Sequence, residues 1–315
     1  MTERLRVAVL DDYQHVARQS ADWALLDALA DVVVFHDHVD DEVLLARRLN
    51  PFDVVCVMRE RTPVTATLMA ALPRLRLIAS TGRANASIDL AAAADHGITV
   101  VHTNYASTPT IEFTWAAILG LARNLANEAA SVRAGGWQQG MGVELAGKTL
   151  ALLGLGRIGS AVARIGQAFG MQVIAWSQNL TTEHAAGYGV ERVEKQALFA
   201  RADILSIHTR LSERTQGLVS AEALGWMKPT ARLVNTSRGP IVDEAALIEA
   251  LVQGRIAGAA VDVYDPEPLP LDHPFRRLPN VLATPHIGYV SEEMYRTFYG
   301  DTVRNVVDWI GKVRT

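Results

Sequence analysis

The chain has 315 residues, more than one hydrophobic core usually holds, so two domains of ordinary size are expected. Hydrophobic residues make up 49% and charged residues 20%, with a net charge of −4. That is the profile of a soluble globular protein without the basic excess that nucleic-acid binding needs, so no nucleic-acid partner is expected.

The N-terminal "MTERLRVAVLDD" enters a strand-like run at once, with no basic segment leading into an apolar one, and no run of ~18 apolar residues occurs anywhere. A cytoplasmic protein without a membrane partner is the expectation. The runs "RVAVL", "DVVVF", "DVVCVM", "RLRLIAS" and "ITVVHT" alternate with helix-like segments, the pattern of βα units building a parallel sheet. Cys56, the one cysteine, lies in the third run and reads as core packing in a reducing compartment. Residues 110–135 then predict one long buried helix linking two domains. A second series of apolar strands follows: "KTLALLG", "QVIAWS", "DILSIHT", "ARLVNTS", "AGAAVDV" and "NVLATPH". Beyond them Tyr295, Tyr299, Val303, Val306 and Ile310 recur at helical spacing after Ser291, a suitable N-cap.

Gly154, Gly156 and Gly159 stand in G-x-G-x-x-G spacing between a strand and a helical stripe, with a second strand beyond, as a dinucleotide fingerprint requires. Glycine there lets the chain turn tightly and the backbone approach a pyrophosphate, which the amides of the helix N-terminus hold. Arg157 can add a positive charge. The second strand ends on Ser177, Gln178 and Asn179, where an NAD-selective chain usually has an acid and an NADP-selective one an arginine. Both NAD(H) and NADP(H) are therefore expected to bind, with a slight lean to NAD(H), and Arg210 is the basic residue that could tip the balance.

Arg238, Glu267 and His286 each follow a later strand, and in open α/β sheets ligands gather at the carboxyl ends of strands. Singly they read as a surface ion pair, a turn and a loop cap. Together they meet the needs of 2-oxo acid reduction. The fixed fork of Arg238 can grip a carboxylate. His286 can supply the proton. Glu267 can hold the imidazole and favour its protonated form. Asp262 can accept from the nicotinamide amide. No Cys or His cluster offers a metal site, which excludes a zinc alcohol dehydrogenase.

The stretches "ASTGRANASIDL", "GLGRIG", "DILSIHTRLSERTQGLV", "MKPTARLVNTSRGPIVDEAAL", "AAVDVYDPEP" and "LATPHIG" occur in the order and spacing of the D-isomer-specific 2-hydroxyacid dehydrogenase family, which the chain resembles over essentially its whole length. The resemblance implies an NAD(P)-dependent oxidoreductase with Arg238, Glu267 and His286 as the catalytic set. It implies two Rossmann-like, doubly wound parallel-sheet α/β domains separated by a cleft. One, for substrate, is discontinuous (1–101 plus 289–315); the other, for the dinucleotide, spans 102–288 and forms a homodimer. Expected cofactor contacts are Gly154, Gly156, Arg157, Ile158, Gly159 and Ser177, then His208, Thr209, Arg210 and Thr215. Thr236, Ser237, Asp262 and Gly288 complete them, with Thr236 and Asp262 at the nicotinamide end. Arg83, Ala84 and Tyr289 join Arg238 and His286 as expected substrate contacts. The chain departs from the family at Arg83, which replaces a small apolar residue, at Arg210, which replaces proline, and at Ser177. Arg59 and Arg61 read either as substrate-facing or as a solvated charge cluster. The alternative function is a dinucleotide-sensing co-repressor of the same fold.

Overall fold

The computed structural model describes residues 4–314. The chain divides into two compact units, one running up to Ala106 and resuming at Val290, the other spanning Ser107–Tyr289.

The first unit contains β1 (Leu5–Val9), β2 (Ala30–Val34), β3 (Val54–Val57), β4 (Leu77–Ser80) and β5 (Thr99–His102), in the order β2-β1-β3-β4-β5. Every pairing is parallel. Strands buried on both faces need continuous apolar runs rather than alternation. β3 and β4 accordingly are buried throughout, Cys56 among them at 4% exposure. Burial also pushes the Cys56 thiol up to about 12, which leaves it an inert packing group. The helix Glu292–Arg314 belongs to this unit, and the Ser291 hydroxyl caps it by accepting from the Met294 amide at 3.2 Å. Its buried Asp301 accepts from the backbone amide and side chain of Asn104, tying the exit of β5 to the helix. A boundary at 101/102 would cut β5 between residues that pair with β4, so the division falls after Ala106 instead.

The second unit contains β6 (Thr149–Leu153), β7 (Gln172–Trp176), β8 (Glu191–Arg192), β9 (Ile204–Ile207), β10 (Arg232–Asn235), β11 (Gly258–Val261) and β12 (Val281–Ala283). Their order is β12-β11-β10-β9-β6-β7-β8, again parallel throughout. The direction of winding reverses between β6 and β9, the place where an open α/β sheet leaves a crevice. β8 has two residues, Glu191 and Arg192, too short and too polar to show as an apolar run. The single helix expected over 110–135 is two, Thr108–Ala122 and Leu125–Arg133. Asn124 breaks it by adopting a left-handed backbone (φ 52°), a conformation asparagine tolerates better than most residues. Only the first helix is buried; the second has no buried residue.

Candidate active site

The glycine fingerprint sits where β6 turns into the helix Arg157–Ala168. Gly154 has φ 107°, and a Cβ there would lie 2.9 Å from the backbone of His208, at the exit of β9. A Cβ on Gly159 would lie 2.2 Å from the Gly154 carbonyl oxygen. These two glycines are steric necessities of the turn itself. Gly156, the N-cap, differs: a Cβ there would meet nothing within 4 Å. Its missing side chain opens the space in front of the helix N-terminus, where the free amides and the helix dipole favour a phosphate. Arg157 is exposed beside it and Ile158 half-buried. The residues present therefore fit a dinucleotide.

Ser177 follows β7 directly, half-buried, with Gln178 and Asn179 exposed. His208 is held by the Ser206 hydroxyl at 2.9 Å, and burial lowers its pKa to about 4, so the ring is neutral at ordinary pH. The Thr209 carbonyl accepts from Ser237 at 2.6 Å, joining the exits of β9 and β10. The Thr215 hydroxyl donates to the Arg210 carbonyl at 2.6 Å and accepts from the Ser212 amide at 2.8 Å, so it closes its own loop. Arg210 is exposed.

Arg238, Glu267 and His286 follow β10, β11 and β12, three consecutive neighbours in the sheet. Asn235 folds the turn after β10 by donating to the Arg238 carbonyl at 2.9 Å and accepting from the Ser237 amide at 3.1 Å. The Arg238 Nη1 donates to the Ser237 carbonyl at 2.7 Å. Gly239 is needed because a Cβ would lie 2.7 Å from the backbone of Tyr264, so the Arg238 turn rests directly on the exit of β11. Beyond that exit, Glu267 accepts from the Tyr264 amide through Oε1 at 2.8 Å and faces Nδ1 of His286 through Oε2 at 2.6 Å. The pair is partly buried, the side chains 20% and 27% exposed for His286 and Glu267. Nδ1 is committed to the carboxylate, so Nε2 is the ring nitrogen that this pair leaves unengaged. Tyr289, at 5% exposure, packs edge-on to the His286 ring, 5.5 Å between centroids.

His286 has φ 53°, unusual for a residue with a Cβ. Asp262 maintains it. Its carboxylate, 2% exposed, accepts from the Thr284 hydroxyl (2.7 Å) and from the amides of Ile287 (2.9 Å) and Gly288 (2.8 Å). Burial raises the Asp262 pKa, an effect opposed by the Thr284 hydroxyl, the two amides and the charge of His286. These bonds brace the loop that carries His286. Thr284 and the Tyr264 amide are contributors that the sequence reading did not name. Neither stands at a motif spacing, and only the fold brings them to the carboxylates. Thr236, at the β10 exit, hydrogen-bonds Thr114 of the buried helix at 2.9 Å.

In the first unit Arg59 and Arg61 are not a solvated cluster. Arg59, 14% exposed, donates to the carbonyls of Thr81 (3.2 Å) and Ala84 (3.5 Å), pairs with Glu60 at 3.3 Å and lies over the Tyr105 ring. Arg61 donates to the Asp11 carbonyl (2.6 Å) and the Tyr295 hydroxyl (3.2 Å), with its guanidinium 4.5 Å from the Tyr13 ring centre. Arg83 and Ala84 are exposed on the loop after β4. Among the described residues no group of three or more His, Cys, Asp or Glu could hold a metal ion, and no helix is long and apolar enough to cross a membrane.

The profile of the D-isomer specific 2-hydroxyacid dehydrogenase NAD binding domain matches residues 115–288. A glyoxylate reductase of Aeropyrum pernix is 40% identical over 80% of this chain and 78% of its own length. A D-3-phosphoglycerate dehydrogenase of Methanocaldococcus jannaschii is 35% identical over 90% of this chain, which spans only 56% of that relative. Among solved structures, a phosphoglycerate oxidoreductase from Vibrio cholerae superposes with a TM-score of 0.94 at 39% identity, covering 98% of this chain and 99% of that one.

Proposed function

Because the chain belongs to the D-isomer-specific 2-hydroxyacid dehydrogenase family, we propose that Arg238, His286 and Glu267 of this oxidoreductase carry out the interconversion of a 2-oxo acid and a D-2-hydroxy acid. The observation that carries these roles is the 2.6 Å His286–Glu267 pair at the strand edge that also presents Arg238, in the same unit as a glycine fingerprint. Arg238 binds the substrate carboxylate with its always-charged fork. His286 donates the Nε2 proton to the carbonyl oxygen as the hydride reaches carbon, and takes it back in the oxidative direction. Glu267 orients the ring through Nδ1. Nicotinamide, when bound, supplies or accepts the hydride. Gly154, Gly156 and Gly159 with the amides at Arg157 and Ile158 hold the pyrophosphate, and Ser177 meets the adenosine ribose. Arg83, Ala84 and Tyr289 contribute to substrate selection.

NAD(H) is the cofactor of the family domain. With neither an acid nor an arginine at 177–179, NADP(H) is accepted as well, with weak discrimination. The working protein is a cytoplasmic homodimer without a nucleic-acid partner. Supporting the dimer, the helix Leu125–Arg133 buries none of its residues, and Leu125, Val132, Trp137 and Met141 are exposed at 61%, 59%, 72% and 96%. An apolar surface of this kind marks an interaction face. The test is initial-rate kinetics with NADH and NADPH in parallel against glyoxylate, hydroxypyruvate, pyruvate and phenylpyruvate. Turnover of at least one supports the reading; tight nicotinamide binding without turnover of any would sink it.

A further inference from the structure

The second unit carries two His–Glu pairs on one connection. Between β11 and β12 the chain runs from Asp262 to Asn280 with a single short turn of 3-10 helix, Pro274–Arg276. An irregular stretch of that length inside a compact unit usually serves a site. Near its start Glu267 faces His286. Further along, His273 faces Glu244, Nε2 to Oε1 at 3.0 Å, with the His273 side chain 13% exposed. The other ring nitrogen, Nδ1, accepts from the Phe275 amide at 3.2 Å and caps the helical turn. Nε2 therefore carries the ring proton and donates it to Glu244.

Glu244 is a fixed partner. It opens the helix Glu244–Val252, whose N-cap Asp243 accepts from the Ala246 amide at 3.1 Å and donates its own amide to the Val219 carbonyl at 3.0 Å. The limb between the two pairs is stiff. Prolines at 266, 268 and 270 lock alternate φ angles around and after Glu267, and Pro274 does so beside His273. Arg276 cross-links the limb, donating through Nε to the Pro270 carbonyl at 2.8 Å and through Nη2 to the Leu269 carbonyl at 2.5 Å. At its base buried Phe275 packs on Tyr264, 6.3 Å between ring centres, and the Tyr264 amide is the donor that holds Glu267. A displacement at His273 is thus carried to Glu267 rather than absorbed on the way.

We propose that His273 and Glu244 are positioning residues for the reaction: their hydrogen bond sets, through the proline-stiffened limb, where the Glu267 carboxylate meets His286. This rests on the roles given above to His286 and Glu267. The experiment measures kcat and KM for glyoxylate and NADH, and the unfolding midpoint, in the full chain. His273→Asn keeps an acceptor for the Phe275 amide but is too short to reach Glu244. It should lower kcat roughly tenfold, because small misplacements of catalytic groups are costly, with both KM values and the midpoint near wild type. Glu244→Ala should do the same, and the two together no more than either alone. His273→Gln, whose amide can donate to Glu244, should restore most of the rate. In a Glu267→Ala background His273→Asn should cost less than about twofold, because the carboxylate it positions is gone. Unchanged kcat in His273→Asn, or an equal loss in the Glu267→Ala background, overturns the assignment while the activity survives. A rate lost only together with the unfolding midpoint would mark a structural clasp and overturn it too. A wild type that leaves glyoxylate unreduced, or a Glu267→Ala variant as fast as wild type, removes the assignment together with the roles it rests on.

Discussion

The strand-exit edges of the two parallel sheets employ their arginines in opposite ways. At the second unit's edge, Arg238 is held by its own turn, and the carboxylate opposite His286 leaves one imidazole nitrogen for chemistry. At the first unit's edge, Arg59 is interior framework: its guanidinium takes the place of a missing side chain at Gly82 and binds two carbonyls. Residue type therefore does not distinguish a cation proposed for catalysis from a structural one. What each guanidinium already touches does. Substitutions of His286 should damage turnover with little loss of stability, and those that displace Arg59 should do the reverse.

The sharpest division is expected at His286→Ala. Losing the proton donor should cost ~10²–10⁴-fold in kcat while NADH affinity and unfolding midpoint stay near wild type. A loss below about threefold would remove His286 from the mechanism. His208, which packs on the fingerprint, tests whether the second unit's edge also contributes to stability. Its pKa is lowered to about 4, so the folded state resists protonation where the unfolded chain, titrating near 6.5, accepts it. Stability should be full above pH ~6.5 and fall by up to about 3 kcal/mol as pH drops towards 4. His208→Gln should flatten that decline in urea titrations, and an equally steep decline in the variant would refute the assignment. Gly82→Ala should cost about 1–3 kcal/mol, because φ 86° strains any Cβ and Arg59 must leave its carbonyls. An unchanged unfolding midpoint would mean that Arg59 is no strut. Smallest is the cofactor effect. The wild type should use NADH and NADPH within about a hundredfold in kcat/KM, and Ser177→Asp should lower NADPH use selectively, by roughly tenfold. Unchanged NADPH kinetics would show that the ribose lies elsewhere.

Much of this was legible from residue order alone. The glycine spacing states a steric requirement that the turn between β6 and its helix meets, and the distinctive residues after β10, β11 and β12 show because a parallel sheet collects strand ends on one side. Other features were not legible, each for a definite reason. β8 is two polar residues whose strand character exists only in pairing with β7. The break at Asn124 depends on one backbone angle. Asp262 accepts from the amides of Ile287 and Gly288, and local sequence carries no sign of such long-range donors. The commitments of Arg59 and Arg61 to Thr81, Asp11 and Tyr295 likewise appear only once distant segments meet.

That Arg238, Glu267 and His286 leave consecutive strands has a consequence for how such an enzyme can change. Neighbouring strands lie ~4.8 Å apart, so the exits of β10, β11 and β12 are set within roughly 10 Å of one another by sheet spacing rather than by loop conformation. The three strand exits inherit their separation from backbone hydrogen bonds, the part of the molecule least sensitive to side-chain identity. Loops elsewhere are then free to lengthen, shorten or exchange charges while the spacing of these three exits stays the same.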